Sequence, residues 1–124
     1  MMSHKKKILV IDDDDAVFAY LQKKIGDRYD LVTTTTPDSA VNLAIRETPD
    51  LILCDIDMPE LTGGDVSVSF FENRQVKHIP FAYLTAYVSP KEVSFLDGNV
   101  GGRKGIAKRT PVPEMIQMIE HLLR

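Results

Sequence analysis

The sequence predicts an α/β domain built on a doubly wound parallel sheet with helices on both faces. Three observations predict it. The run Leu51-Ile52-Leu53-Cys54 ends abruptly in Asp55, followed by Pro59 and the pair Gly63-Gly64. A continuous apolar run of this length suits a strand covered on both faces. Ile8-Leu9-Val10-Ile11 and Ile79 to Leu84 repeat the pattern, and segments of helical period separate the runs. Finally, each run ends in a polar side chain: Asp12-Asp13, Asp55, Thr85 and Lys108. A chain of 124 residues forms one domain with its own core, here 1–124 with a core from about residue 6 to residue 123.

The elements follow in order. Ile8 to Ile11 is a buried strand that ends in four acids, Asp12 to Asp15. Val17, Phe18, Leu21 and Ile25 then recur at helical spacing, with Asp14 or Asp15 as the cap and Gly26 as the stop. Asp30 to Thr35 is a second strand, polar enough for an edge. Thr36-Pro37-Asp38 starts the next helix, whose inner face is Ala40, Leu43 and Ala44 and which Pro49 closes. The strand to Asp55 follows. Val66 to Asn73 is a third helix with Phe70 inward, and Ile79 to Leu84 a fourth strand. Pro90 to Leu96 reads as a short helix before a glycine-rich, mobile connection, Asp97 to Gly105. A brief strand, Ile106-Ala107, precedes Lys108, and Pro113 to Leu123 closes the chain as an amphipathic helix.

Composition excludes several function classes. A net charge of −3 without a basic stripe gives no footprint for direct nucleic-acid binding. Lys5-Lys6-Lys7 reads as a solvated N-terminal run. One cysteine, Cys54, excludes an intrachain disulfide and suits a reduced, cytoplasmic setting. No stretch has the length and apolarity of a signal peptide or spanning helix, so membrane insertion is not expected.

Topology explains the acids. Right-handed crossovers cover both faces only if the strand order reverses, which in the order 2-1-3-4-5 happens between the first and third strands. Asp12-Asp13 and Asp55 then converge in the crevice at that reversal. Unit charges that close repel by about 4 kcal/mol per pair at 4 Å and an effective dielectric near 20. A hard divalent cation, Mg²⁺, is the natural compensation. Thr85 and Lys108 end the next two strands and supply a hydroxyl and a cation suited to a phosphoryl group.

Taken in order, Ile11-Asp12-Asp13, Asp55-Ile56-Asp57-Met58-Pro59 with Gly63, Leu84-Thr85-Ala86 and Lys108 resemble the receiver domain of two-component response regulators, of the chemotaxis-regulator type. The resemblance covers nearly the whole chain and implies a flavodoxin-like fold. It implies that Asp55 accepts a phosphoryl group from the phosphohistidine of a histidine kinase or histidine phosphotransfer protein. It also implies that Asp13 and Asp55 ligate Mg²⁺, with the backbone carbonyl of Asp57, while Asp12 acts through a bound water. Lys108 and Thr85 would bond the phosphoryl oxygens, and the signal would pass by altered contacts with a downstream protein. Such a domain catalyses only its own phosphorylation and dephosphorylation and is not otherwise an enzyme. No output domain follows Arg124, which fits a free-standing regulator or a piece of a longer protein.

Several positions depart from the family pattern. Arg109 stands where the family usually has Pro after the lysine, and Gly105 where it often has a switching aromatic. Tyr87, two residues past Thr85, is a candidate to take part of that role. The Asp57 side chain either adds charge beside the site or points to solvent. The simpler readings are a helix-start role for Asp14 and Asp15, a small buried hydrophobe for Cys54, and no metal role for His4, His78 and His121. Two other classes are an interaction module that keeps the fold without the chemistry, and a haloacid-dehalogenase-type phosphatase. The phosphatase family also uses a DxD motif, but on its first core strand; here Asp12-Asp13 come first and no cap domain is present.

Overall fold

Alternate residues of the first strand enter different cores, and the rest of the architecture follows from that. The computed structural model describes residues 5–56, 58, 61–86, 99–100 and 103–124. In β1 (Lys7–Ile11), Ile8 and Val10 join one buried cluster while Leu9 and Ile11 join another. β3 (Leu51–Asp55) divides likewise, Leu51 and Leu53 from Ile52 and Cys54. The first cluster is covered by α1 (Asp15–Ile25) and the closing helix α4 (Val112–Leu122), through Leu21, Ile25, Met115 and Ile119. The second is covered by α2 (Ala40–Glu47) and α3 (Gly63–Glu72), through Ala40, Ala44, Val66 and Phe70. Two-sided burial is why these strands read as unbroken apolar runs.

The sheet order is β2-β1-β3-β4-β6-β5, with β2 at Asp30–Thr34, β4 at Phe81–Thr85, β5 at Asn99–Val100 and β6 at Arg103–Ala107. Five of these strands pair in parallel in the expected 2-1-3-4-5 order, and β2 is the edge strand its polarity implied. The sixth strand corrects the sequence reading. Asn99–Val100 pairs antiparallel with Lys104 and Arg103, so part of the supposed glycine-rich connection is strand. The final parallel strand accordingly begins at Arg103 rather than Ile106. The sequence held the reason, because Gly101-Gly102 between two extended segments is a two-residue hairpin signal. The expected helix Pro90 to Leu96 lies outside the described residues, as do Tyr87, Gly98, Gly101 and Gly102.

Local chemistry sets the helix ends. Asp14 caps α1, its side chain accepting from Ala16 N at 3.0 Å. Gly26 ends α1 in the right-handed region, so it is needed for space: a Cβ there would collide with the Gln22 carbonyl. α2 is entered through a 3₁₀ turn, Pro37–Ser39, with no side-chain cap, and it turns out at Thr48, φ 47°, before Pro49. α3 starts at Gly63, three residues before the predicted Val66. A capping box between Thr62 and Asp65 fixes that start (3.1 and 3.2 Å), and the two glycines inside it concealed the signal.

Candidate functional site at the carboxyl ends of the strands

The register aligns the strand ends into one rim. Ile11 faces Cys54, Asp55 faces Leu84, and Thr85 faces Ala107. Asp12 and Lys108 are the next residues beyond their strands, so the predicted groups meet at one level. Carboxylate oxygens of Asp12, Asp13 and Asp55 all lie within 4.8 Å of one another. Asp12 is fully buried and Asp55 nearly so, whereas Asp13 is exposed. Lys108 Nζ approaches Asp12 Oδ2 to 2.7 Å and Asp55 Oδ1 to 3.5 Å. Thr85 is buried on the same rim. The expected backbone ligand at Asp57 lies outside the described residues.

Each group is held by neighbouring backbone. Asp12 Oδ1 accepts from Asp14 N at 3.0 Å, which ties the acid to the start of α1. Lys108 N donates to Thr85 O at 2.7 Å, joining β4 to the turn beyond β6. That turn is closed by Thr110, whose amide and hydroxyl both donate to Ala107 O, at 3.0 and 2.6 Å. Sequence reasoning missed Thr110. Its signal was a hydroxyl residue just past a strand end, where such side chains bond local backbone. Behind Asp55, Gly63 N donates to Ile56 O at 2.6 Å. A Cβ on Gly63 would sit 2.5 Å from the Asp55 carbonyl oxygen and 2.8 Å from Ile56 Cα, so only glycine fits. α3 therefore begins in direct contact with the backbone of the predicted acceptor.

The electrostatics are those of crowded carboxylates. Burial first, and then the charge of Asp12, push the Asp55 carboxyl up to about 6, with Lys108 opposing and Asp13 adding to the rise. Burial works against the Lys108 charge, but Asp12 and Asp55 outweigh it and raise the ammonium above its usual range. Asp12 Oδ2 is fully buried, and its one close partner among the described residues is the Lys108 ammonium at 2.7 Å. A fully buried carboxylate oxygen in that state, beside two more carboxylates, fits a hard cation bound through oxygen. Asp12, Asp13 and Asp55 are the described residues able to hold Mg²⁺.

Five groups on one rim, with these spacings, match one family. The sequence model of the response regulator receiver domain matches residues 8–120. The chain belongs to that family. The polar-differentiation response regulator DivK of Brucella ovis is 28% identical over 120 residues, covering 95% of this chain and 96% of DivK. A response regulator from Desulfuromonas acetoxidans superposes with a TM-score of 0.76 at 25% identity, covering 95% of this chain and 96% of that one. The chemotaxis protein CheY4 of Vibrio cholerae shares the fold, with a TM-score of 0.77 at 21% identity, over 96% of this chain and 99% of its own. Among the described residues no helix of this receiver is long and apolar enough to cross a membrane.

The two departures from the family pattern have structural counterparts. The Lys108–Arg109 bond is trans, as are all peptide bonds among the described residues, and Arg109 is exposed. Gly105 pairs in register with Tyr83, whose buried ring packs with Ala107 and meets Phe81 edge-on at 6.0 Å. The aromatic on this part of the sheet thus comes from β4 rather than β6.

Proposed function

We propose that this receiver takes a phosphoryl group onto Asp55 from the phosphohistidine of a histidine kinase or histidine phosphotransfer protein, and signals in the cytoplasm through a changed protein contact. The domain is the whole of residues 1–124 in this reading, and it catalyses only its own phosphorylation and dephosphorylation. The observation that carries the reading is the Asp12–Lys108–Asp55 arrangement, two nearly buried carboxylates sharing one ammonium at 2.7 and 3.5 Å. Two structural carboxylates gain nothing from such crowding. A nucleophile and its charge partners need it.

The roles follow from position. Asp55 Oδ is the nucleophile, fixed at a strand end with the Ile56–Gly63 bond behind it. Lys108 offsets charge on the phosphoryl oxygens, and its ammonium is already aimed at Asp55. Thr85, on the neighbouring strand end, donates its hydroxyl to the phosphorylated form. Asp13 and Asp55, with the carbonyl of Asp57, would hold Mg²⁺, and Asp12 would assist through a bound water. Bound there, the metal supplies positive charge to the transferring phosphoryl group. A raised Asp55 carboxyl fits this sequence of events, since its charge is easiest to hold once a cation is present.

Intact mass after incubation with acetyl phosphate and Mg²⁺ tests the reading. One phosphoryl adduct is expected for the wild type, and none with EDTA or in Asp55→Ala. No adduct from folded protein that binds Mg²⁺ would instead favour a phosphorylation-independent interaction module.

A further inference from the structure

α3 opens with two glycines, and the fold explains only the first. A Cβ on Gly63 would collide with the Asp55 carbonyl, whereas one on Gly64 would meet only Thr62 Oγ1 among the described residues, at an ordinary 3.5 Å. Glycine weakens a helix relative to alanine, so packing within the molecule gives no reason for it at position 64. Gly64 lies one helical turn before Val68, and Phe71 one turn after, so the three share one side of α3. Val68 and Phe71 are 54% and 67% exposed, while Val66 and Phe70 enter the core from the other side. Asp65, Ser69 and Glu72 form the next row round the helix. Both acids are exposed, and Glu72 has no ion-pair partner among the described residues. Arg74 and Lys77 follow only after the helix has ended, so α3 itself carries no base.

We infer that this side of α3 docks an amphipathic helix of a partner protein, one whose apolar stripe is edged by Lys or Arg. The inference rests on the reading of Asp55 as acceptor and names the surface on which the changed contact is made. Gly64 lets the partner approach closely beside Val68 and Phe71. Asp65 and Glu72 attract a basic edge and repel an acidic one, which sets the partner's chemistry and its alignment. A second copy of the chain does not fit. A two-fold interface sets a surface against itself, and two α3 helices packed antiparallel would bring Asp65 of one copy opposite Glu72 of the other. Two exposed side chains also fall far short of the roughly 800 Å² per partner that a stable dimer buries. A transient contact needs less, with Phe71 as its anchor. The position suits a signal. Gly63 N donates to Ile56 O at 2.6 Å, so the helix that carries the stripe is bonded to the backbone next to the acceptor.

The test uses the full chain and two synthetic amphipathic helical peptides with the same leucine stripe, one edged with lysines and the other with glutamates. Fluorescence anisotropy reads their binding, and urea unfolding checks each variant. The wild type is expected to bind the lysine peptide about tenfold tighter than the glutamate peptide, a preference that salt reduces. Phe71→Ser should weaken the lysine peptide about tenfold, as loss of a central anchor does. Glu72→Lys should reverse the preference. Phe71 and Glu72 are both exposed, so these variants fold. Gly64→Ala should weaken binding about fivefold while unfolding at the same or a higher urea concentration, a pairing that a glycine needed by the fold would not give. With Asp55 phosphorylated, the wild-type affinity should change by about fivefold. Affinities equal to wild type in Phe71→Ser and Glu72→Lys would overturn the surface. Loss in those variants but not in Gly64→Ala would overturn the part assigned to the glycine. A wild-type dimer in sedimentation equilibrium that Phe71→Ser dissolves would overturn the basic helix in favour of a second copy. Equal affinity with and without a demonstrated Asp55 adduct would overturn the signalling role of the surface. Failure to form the adduct would overturn the acceptor reading, and the peptide results would still decide the surface.

Discussion

The two ends of the sheet treat charge in opposite ways. At the amino end Lys7 N donates to Asp50 Oδ2 at 2.8 Å, and Asp50 N returns a bond to Lys7 O at 2.7 Å. Lys7 Nζ reaches the Glu47 carboxylate at 3.4 Å with both side chains about one-third exposed, and also the Glu47 carbonyl at the end of α2. Each charge there is shared with water and has a local partner. At the carboxyl end Asp12 is fully buried, Lys108 is only 19% exposed, and Asp12 and Asp55 share its one ammonium with the Asp13 carboxylate within 4.8 Å of both. Exposed pairs contribute little to stability, and a buried charge with an incomplete set of partners costs several kcal/mol. One end is arranged for the fold. The other is tolerated by it.

Removing the lysine from each end should expose this difference most strongly. Lys108→Met leaves Asp12 buried without its charge partner and is expected to cost about 3–5 kcal/mol, whereas Lys7→Met should cost less than about 1 kcal/mol. Urea unfolding of both variants makes the comparison, and equal losses would erase the distinction between the ends. Removing the acceptor charge should act in the opposite direction. The folded-state pKa of Asp55, about 6, exceeds its unfolded value, so its contribution to stability is full below about pH 4 and is lost as pH rises through 6. In EDTA, Asp55→Asn lacks that loss. Its advantage over wild type should therefore grow to about 3 kcal/mol at pH 8, since each pKa unit corresponds to about 1.4 kcal/mol. A pH-independent difference would contradict the assignment.

Smaller effects sharpen the picture. Gly63→Ala places a Cβ 2.5 Å from the Asp55 carbonyl oxygen, so α3 or the acceptor loop must shift. An overpacking cost of about 1–3 kcal/mol is expected, together with slower phosphorylation. Normal phosphorylation in a destabilised variant would separate the helix start from the chemistry. Away from the rim, the buried Tyr29 hydroxyl donates to Glu120 Oε2 at 2.5 Å, linking the α1–β2 turn to α4. Tyr29→Phe should lower stability by about 1 kcal/mol and leave phosphorylation unchanged.

Much of the fold was legible because it rests on apolar periodicity. The three buried runs, their helical separators and the strand order could be read from residues alone. The rim was legible too, since Asp12, Asp13, Asp55, Thr85 and Lys108 each end a readable strand. What escaped depends on geometry between backbones. The short strand Asn99–Val100 was hidden because the glycine-rich stretch around it reads as loop. The start of α3 was hidden because helix propensity speaks against Gly63 and Gly64, while the Thr62–Asp65 capping box and the fit against Asp55 override it. Thr110 offers only the signal of a hydroxyl just past a strand end, and Tyr83 carries none until the register places it opposite Gly105.

The most direct test of the central claim is to locate the phosphoryl group. Wild-type protein labelled by acetyl phosphate with Mg²⁺ would be reduced with borohydride, which cleaves an aspartyl phosphate and marks its residue, and then mapped by peptide mass. The mark is expected at Asp55, in Mg²⁺ and not in EDTA. A mark at another carboxylate, or one that forms equally without metal, would contradict the account.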